Sequence, residues 1–182
     1  LATLSALGVA TMTHLGIKTS KERAVEKDFE ERTTCGGRHY SVKDQTPELY
    51  KPLLNAYSEN PQLVTELYKA SITINYSNYS SSPRSYSNED ILFIHEINKV
   101  NPSLTPLAKK ALGGLVTRFD YCCSDSEAVR EKVRNAILSN PQKVEQAIKK
   151  IEETKEIHNS YSYEIYEDYY TLEDLLKTLN EL

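Results

Sequence analysis

The residues best suited to chemistry are Cys35 and His39, in the stretch CGGRH. A thiol becomes a nucleophile when a nearby base takes its proton, and imidazole is the usual base. Here the two side chains are four residues apart across a glycine pair. That spacing fixes no geometry, and no acid is identifiable to orient the imidazole. Catalytic Cys–His pairs are normally assembled from distant segments, so a structural role for Cys35 is the better reading. His14, His95 and His158 stand alone, and no metal ligand set is assembled from sequence neighbours. His95, inside the apolar run ILFIHEI, reads as a hydrogen-bonded core or boundary residue. His158 reads as a helix-end residue suited to the dipole.

Other chemistry-bearing signatures are missing. There is no phosphate-binding glycine loop, nucleophile elbow, HExxH or CxxC, and the acidic DYCCSDSE lacks the central glycine of a calcium loop. The acidic doublets Glu89-Asp90 and Glu173-Asp174 fall in first helical turns, where they complement the helix dipole without any catalytic role. The sequence therefore names no catalytic, cofactor-binding or metal-binding residue.

The three cysteines are too few for a disulfide framework and odd in number. Cys35 precedes one repeated segment and the Cys122-Cys123 pair precedes the other. A bridge from Cys35 to Cys122 or Cys123 would staple the two segments and leave one thiol. It would close a loop of about 90 residues and add about 4 kcal/mol by chain entropy. In a reducing compartment the three would be small buried hydrophobes. Two Asn-Tyr-Ser sequons, at Asn75 and Asn78, are glycosylation acceptors if the chain is exported.

The elements that would position these residues are written twice. NAYSENPQLVTEL at 55–67 is echoed by NAILSNPQKVEQA at 135–147. In each, Asn followed by Pro is a helix start: Asn caps free N–H groups, and Pro fits the first helical position. Upstream, Leu49, Leu53, Tyr57 and Val129, Val133, Ile137 step by four along one helix face. Downstream, Val64 and Tyr68 match Val144, Ile148 and Ile151. Each echo is thus an αα-hairpin. Seven positions are identical when 46–71 is laid on 126–151. SNEDILFIHEIN at 87–98 further resembles TLEDLLKTLNEL at 171–182, both opening as capping boxes. SALGVAT near the start and KALGGLVT at 110–117 form a weaker third match.

The expected architecture is mainly α: a helical bundle of two tandem copies of a helix, αα-hairpin, Tyr/Ser link and helix unit. The copies span 1–100 and 103–182 and pack as a single globular unit. The first carries an insertion at 14–45, in which TSKERAVEKDFEERTTCGG reads as a surface helix capped by Ser20 and ended by Gly36-Gly37. It has few apolar positions (Ala24, Val25, Phe29), hence a narrow contact. RHYSVKDQ after it fits a strand or a loop. Gly113-Gly114 either lets helices approach or breaks one. Residues 1–12 read as a short packed helix, and Gly8-Val9-Ala10 resembles a signal-peptide cleavage site.

The links NYSNYSSSPRSYS and HNSYSYEIYEDYY alternate in a strand-like way. They would be extended, with room for a minor two-stranded β element between the copies. They also suit a contact surface, since tyrosine offers rigid area at low entropic cost. Its candidates are Tyr76, Tyr79, Tyr86, Tyr161, Tyr163 and Tyr166.

Charge and hydropathy narrow the functions. The formal charge is −4, from 22 Lys plus Arg against 26 Asp plus Glu. With no basic stripe, nucleic acid is a poor partner. No apolar run is long enough for a membrane span. The favoured reading is a non-enzymatic structural or protein-interaction protein, exported or an assembly subunit, that binds another protein or copies of itself. The alternatives are a carrier of a small apolar ligand between the copies and an enzyme whose site is gathered from distant residues. The sequons and the N-terminal pattern lean toward a secreted, extracellular location.

Overall fold

The structure, a computed structural model, describes residues 18–33, 42–72, 86–113, 126–159 and 171–182. These residues are mainly helical, and no strand occurs among them. The elements are α1 (Ser20–Thr33), α2 (Val42–Gln45), α3 (Pro47–Glu59), α4 (Pro61–Ile72) and α5 (Asn88–Val100). A 3-10 turn (Pro102–Leu104) leads into α6 (Thr105–Leu112), then α7 (Glu127–Ser139), α8 (Pro141–Asn159) and α9 (Leu172–Glu181).

Asn-Pro corners set the hairpins. A residue before proline is driven out of the helical region by the proline ring, and Asn60 and Asn140 sit at φ/ψ −143°/77° and −151°/73°. Each still closes the incoming helix, its N–H donating to Ala56 O or Ala136 O at 2.9 Å. Each then opens the outgoing helix, its Oδ1 accepting from the backbone N–H of Leu63 or Lys143 at 3.1 Å. A third corner, which the echoed segments do not signal, lies at Asn101-Pro102 with φ/ψ −146°/81°. There Oδ1 accepts from Ser103 Oγ at 2.6 Å, and a 3-10 turn follows in place of an α-helix. Replacing Asn60 or Asn140 by alanine is expected to cost about 1 kcal/mol each, with aspartate retaining most of the cap. Urea titration of the single variants measures it, and equal losses would show that the two corners contribute alike.

The expected stripes supply the core. Leu53 and Tyr57 of α3, Val64 and Tyr68 of α4, Val133 and Ile137 of α7, and Val144 and Ile148 of α8 are buried. Leu49, Val129 and Ile151 pack at its margin. Helix α5 lies across both α3 and α4, and α9 across both α7 and α8. Each of these covering helices opens on a capping box, Ser87 with Asp90 and Thr171 with Asp174. Helix α6 buries Ala108, Ala111 and Leu112 against α5, α7 and α8. Its alanines let it approach α5 and the second hairpin closely. Gly113 ends α6, its N–H donating to Lys109 O at 3.0 Å, so the glycine breaks the helix here.

Helix α1 packs on α3 and α4 through a narrow face, as its composition implies. Phe29 is fully buried, with Val25 at the margin and Ala24 exposed. Two details differ from expectation. The cap is Thr19, one residue earlier than Ser20. Its Oγ1 accepts from Glu22 N–H at 3.2 Å while Glu22 Oε2 accepts from Thr19 N–H at 2.6 Å, and this reciprocal pair outcompetes the next hydroxyl. The stretch VKDQ is helical, with Val42 buried. Residues 1–12, Gly36-Gly37, Gly114 and the Tyr/Ser links at 75–85 and 160–170, with the β element read from them, lie outside the described residues.

Candidate functional site

Four places concentrate polar chemistry. The first joins the two halves. Asp90 occupies the third position of α5, where its Oδ2 accepts from Ser87 N–H at 3.0 Å. It is fully buried, and it also receives the guanidinium of Arg130 and that of Arg134, the latter at 2.7 Å. Arg134 in turn bonds Glu127. Burial would lower the Arg134 pKa, but Glu127 and Asp90 together hold it above the ordinary value. One carboxylate thus caps α5 and anchors α7. Its acceptor sites are occupied, which is the condition for burying a charge without a large penalty.

The second lies between α3 and α5. His95 is 1% exposed. Its Nδ1 is 3.3 Å from a Glu96 oxygen, and its Nε2 is 3.4 Å from Glu59 without hydrogen-bond alignment. Lys99 donates to Glu59 at 2.9 Å and lowers that carboxyl's pKa. The ion pair of this seam is Lys99 with Glu59, and the two imidazole nitrogens lie near different carboxylates. Among the described residues no group of three or more His, Cys, Asp or Glu side chains is placed to hold a metal.

The third attaches α1. Tyr50 Oη lies 3.0 Å from both Glu26 and Glu30, and Tyr57 Oη bonds Asp28. Lys18 pulls the Glu26 carboxyl below its ordinary value, and Tyr57 does the same for Asp28. Burial, then the neighbouring carboxylates, push both phenols up. The signs give a two-sided pH dependence. The lowered carboxyls contribute fully above about pH 5 and lose their contribution as acid protonates them. The raised phenols contribute fully below about pH 9 and lose it as base ionises them. Docking of α1, read by hydrogen exchange of its amides, is expected to be strongest between those limits. In the Tyr50→Phe, Tyr57→Phe double variant the alkaline loss should vanish. An unchanged alkaline limb would show that these hydroxyls do not govern α1.

The fourth is an open groove of about 620 Å3 between α7 and α9. Residues 132, 135, 136 and 139 share one face of α7, at the i, i+3, i+4, i+7 spacing. They bring Lys132, Asn135, Ala136 and Ser139 to it, while α9 brings Leu176, Leu179 and Asn180. Asn140 and Lys143 line it at the α7–α8 corner. The lining combines three apolar side chains with amides, a hydroxyl and two ammonium groups. Among the described residues its lining holds no carboxylate or imidazole, and the groups present offer apolar contact and hydrogen bonding.

Of the residues singled out from sequence, Tyr86 alone among the six tyrosines is described. It is buried, 6% exposed, and its hydroxyl donates to Lys109 O at 3.0 Å. It ties the start of α5 to α6 instead of presenting open surface. Cys35, His39, Cys122, Cys123, Asn75, Asn78, Tyr76, Tyr79, Tyr161, Tyr163 and Tyr166 lie outside the described residues. Sequence reasoning missed Arg130 and Arg134 as partners of Asp90, since nothing local separates a buried arginine from a solvated one. It also missed the groove, which exists only once α9 lies on α7. No protein-family model matches the chain, and no curated protein or solved structure matches it significantly.

Proposed function

We propose that the chain is a non-enzymatic structural or interaction protein whose work is to hold a helical surface for another protein or for copies of itself. The observation that carries this reading is the groove between α7 and α9. Its apolar floor and rim of amide, hydroxyl and ammonium donors suit contact with a second surface. The buried ionisable groups support it in another way. Asp90 and Arg130 pair across the seam of α5 and α7, and buried His95 lies 3.4 Å from Glu59 of α3.

The scaffold in this reading is two tandem copies of one unit. Equal backbone geometry at Asn60 and Asn140, and capping boxes at the start of both covering helices, support a copied hairpin-plus-helix. A copied unit supplies a second apolar face for the first to bury. The Tyr/Ser links would add contact area through Tyr76, Tyr79, Tyr161, Tyr163 and Tyr166, and an exported location fits the sequons at Asn75 and Asn78. A Cys35 bridge to Cys122 or Cys123 would then staple the copies.

Light scattering over a concentration series, paired with native mass spectrometry, tests the function. Assemblies that grow with concentration, or a ligand-free monomer that acquires a protein partner, are expected. A stoichiometric small apolar molecule retained in the native mass would overturn this reading in favour of a carrier.

A further inference from the structure

We infer that the groove between α7 and α9 docks an acidic amphipathic helix of a partner protein. The inference rests on the interaction reading above and specifies the partner's chemistry. Ala136, Leu176 and Leu179 form the floor, with Leu179 buried and the other two partly covered. Two helices with a shallow apolar seam between them are the receiving half of helix-in-groove recognition, where i, i+3 and i+4 side chains of the incoming helix fill the seam.

Charge decides which helix fits. Lys132 and Lys143 line the groove and, among the described residues, no acidic residue does, although the chain as a whole is acidic at −4. The amino end of the 19-residue α8 opens at the same corner with no acid in its first turn. It adds partial positive charge. The corresponding positions of the first half sharpen the contrast. At the same offsets, Lys132 and Lys143 stand where the first hairpin has Pro52 and Leu63, and Ser139 and Asn180 where the first half has Glu59 and Glu96. There, Glu59 is answered by Lys99 and faced by His95 within the fold. In the second half the cations line an open groove with no carboxylate among the described residues beside them, and the complementary carboxylates are assigned to the partner.

The test uses the full chain, isotopically labelled, and a blocked helical peptide of leucine and glutamate at heptad spacing. Amide shifts confined to α7, the α7–α8 corner and α9 are expected at low salt. Lys132→Glu with Lys143→Glu should weaken binding at least tenfold, and half-molar salt should do likewise, because rim charges are screened. Lys177→Glu makes the same charge change on α9 outside the lining and should alter binding less than threefold. A glutamine-for-glutamate peptide should bind as weakly as the charge-reversed variant. No shifts at millimolar peptide, shifts elsewhere, or equal binding of the glutamine peptide would overturn the inference. So would octanoate reproducing the same shifts, since the groove would then be a small-carboxylate pocket. Self-association seen by light scattering alongside any of these failures would leave the interaction reading standing and remove only the groove.

Discussion

Replacing Asp90 by alanine is expected to cost about 3–5 kcal/mol of folding stability, the usual result of removing one partner from a buried charge pair. For a chain of this size that is a fall in Tm of about 10 °C. The size follows from three losses at once. The capping box with Ser87 is broken, the buried Arg130 loses its carboxylate, and Arg134 keeps only Glu127. Asp174→Ala provides the control. It removes the same box position from α9, but Asp174 is exposed and forms no ion pair among the described residues, so about 1 kcal/mol is expected. Adding Arg130→Met to Asp90→Ala should restore part of the loss, since an apolar side chain no longer strands a charge. Thermal unfolding of the four proteins decides it. If Asp90→Ala costs no more than Asp174→Ala, the seam between α5 and α7 does not depend on this carboxylate.

Phe29→Ala is expected to release α1 while leaving the rest of the bundle folded. Removing a buried phenyl ring costs about 3–5 kcal/mol, and α1 has little else to hold it. Phe29 sits with its ring centroid 5.2 Å from Tyr57 and 5.9 Å from Tyr50. The other buried residue, Thr33, directs its hydroxyl to Phe29 O within the same helix, at 2.7 Å. The remaining attachments are Val25 at the core margin, the part-buried phenol–carboxylate bonds and the Lys43–Glu26 pair at 4.0 Å. Tryptic cleavage at Arg23, Lys27 or Arg32 should therefore accelerate at least a hundredfold under native conditions, because cleavage reports the opened population. The main unfolding transition should move by only a few degrees. Loss of the whole bundle in one step would show instead that α1 is integral to the core. Leu53→Ala, in the buried centre of α3, is the comparison that should unfold everything together.

These two variants mark where local and tertiary information part. The Asn-Pro corners at 60 and 140, the capping boxes at 87 and 171, and the stepped stripes of α3, α4, α7 and α8 were legible in the chain. Each is set within one turn of helix by backbone sterics, a single side-chain bond or the helical repeat. Asn101-Pro102 obeys the same sterics and was readable, yet it stood between the repeated segments. The cap of α1 fell one residue from the expected place because two adjacent hydroxyls compete, and only Thr19 completes a reciprocal pair with Glu22.

The sequence by itself therefore determined that this protein is mainly helical, where its hairpins turn and which helix faces are apolar. Only the tertiary structure decided that Asp90 and Asp174, alike in their local motif, differ in role. One is fully buried beneath two arginines of another helix and the other lies in solvent. Only the tertiary structure placed Tyr86 inward, set carboxylates of α1 on the tyrosines of α3, and opened a groove with lysines on its rim. The physical reason is range. Helical periodicity and capping act over about four residues, whereas burial and the choice of partner for a charge depend on which helix lies opposite, 40 or more positions away in the chain for Asp90 and its arginines.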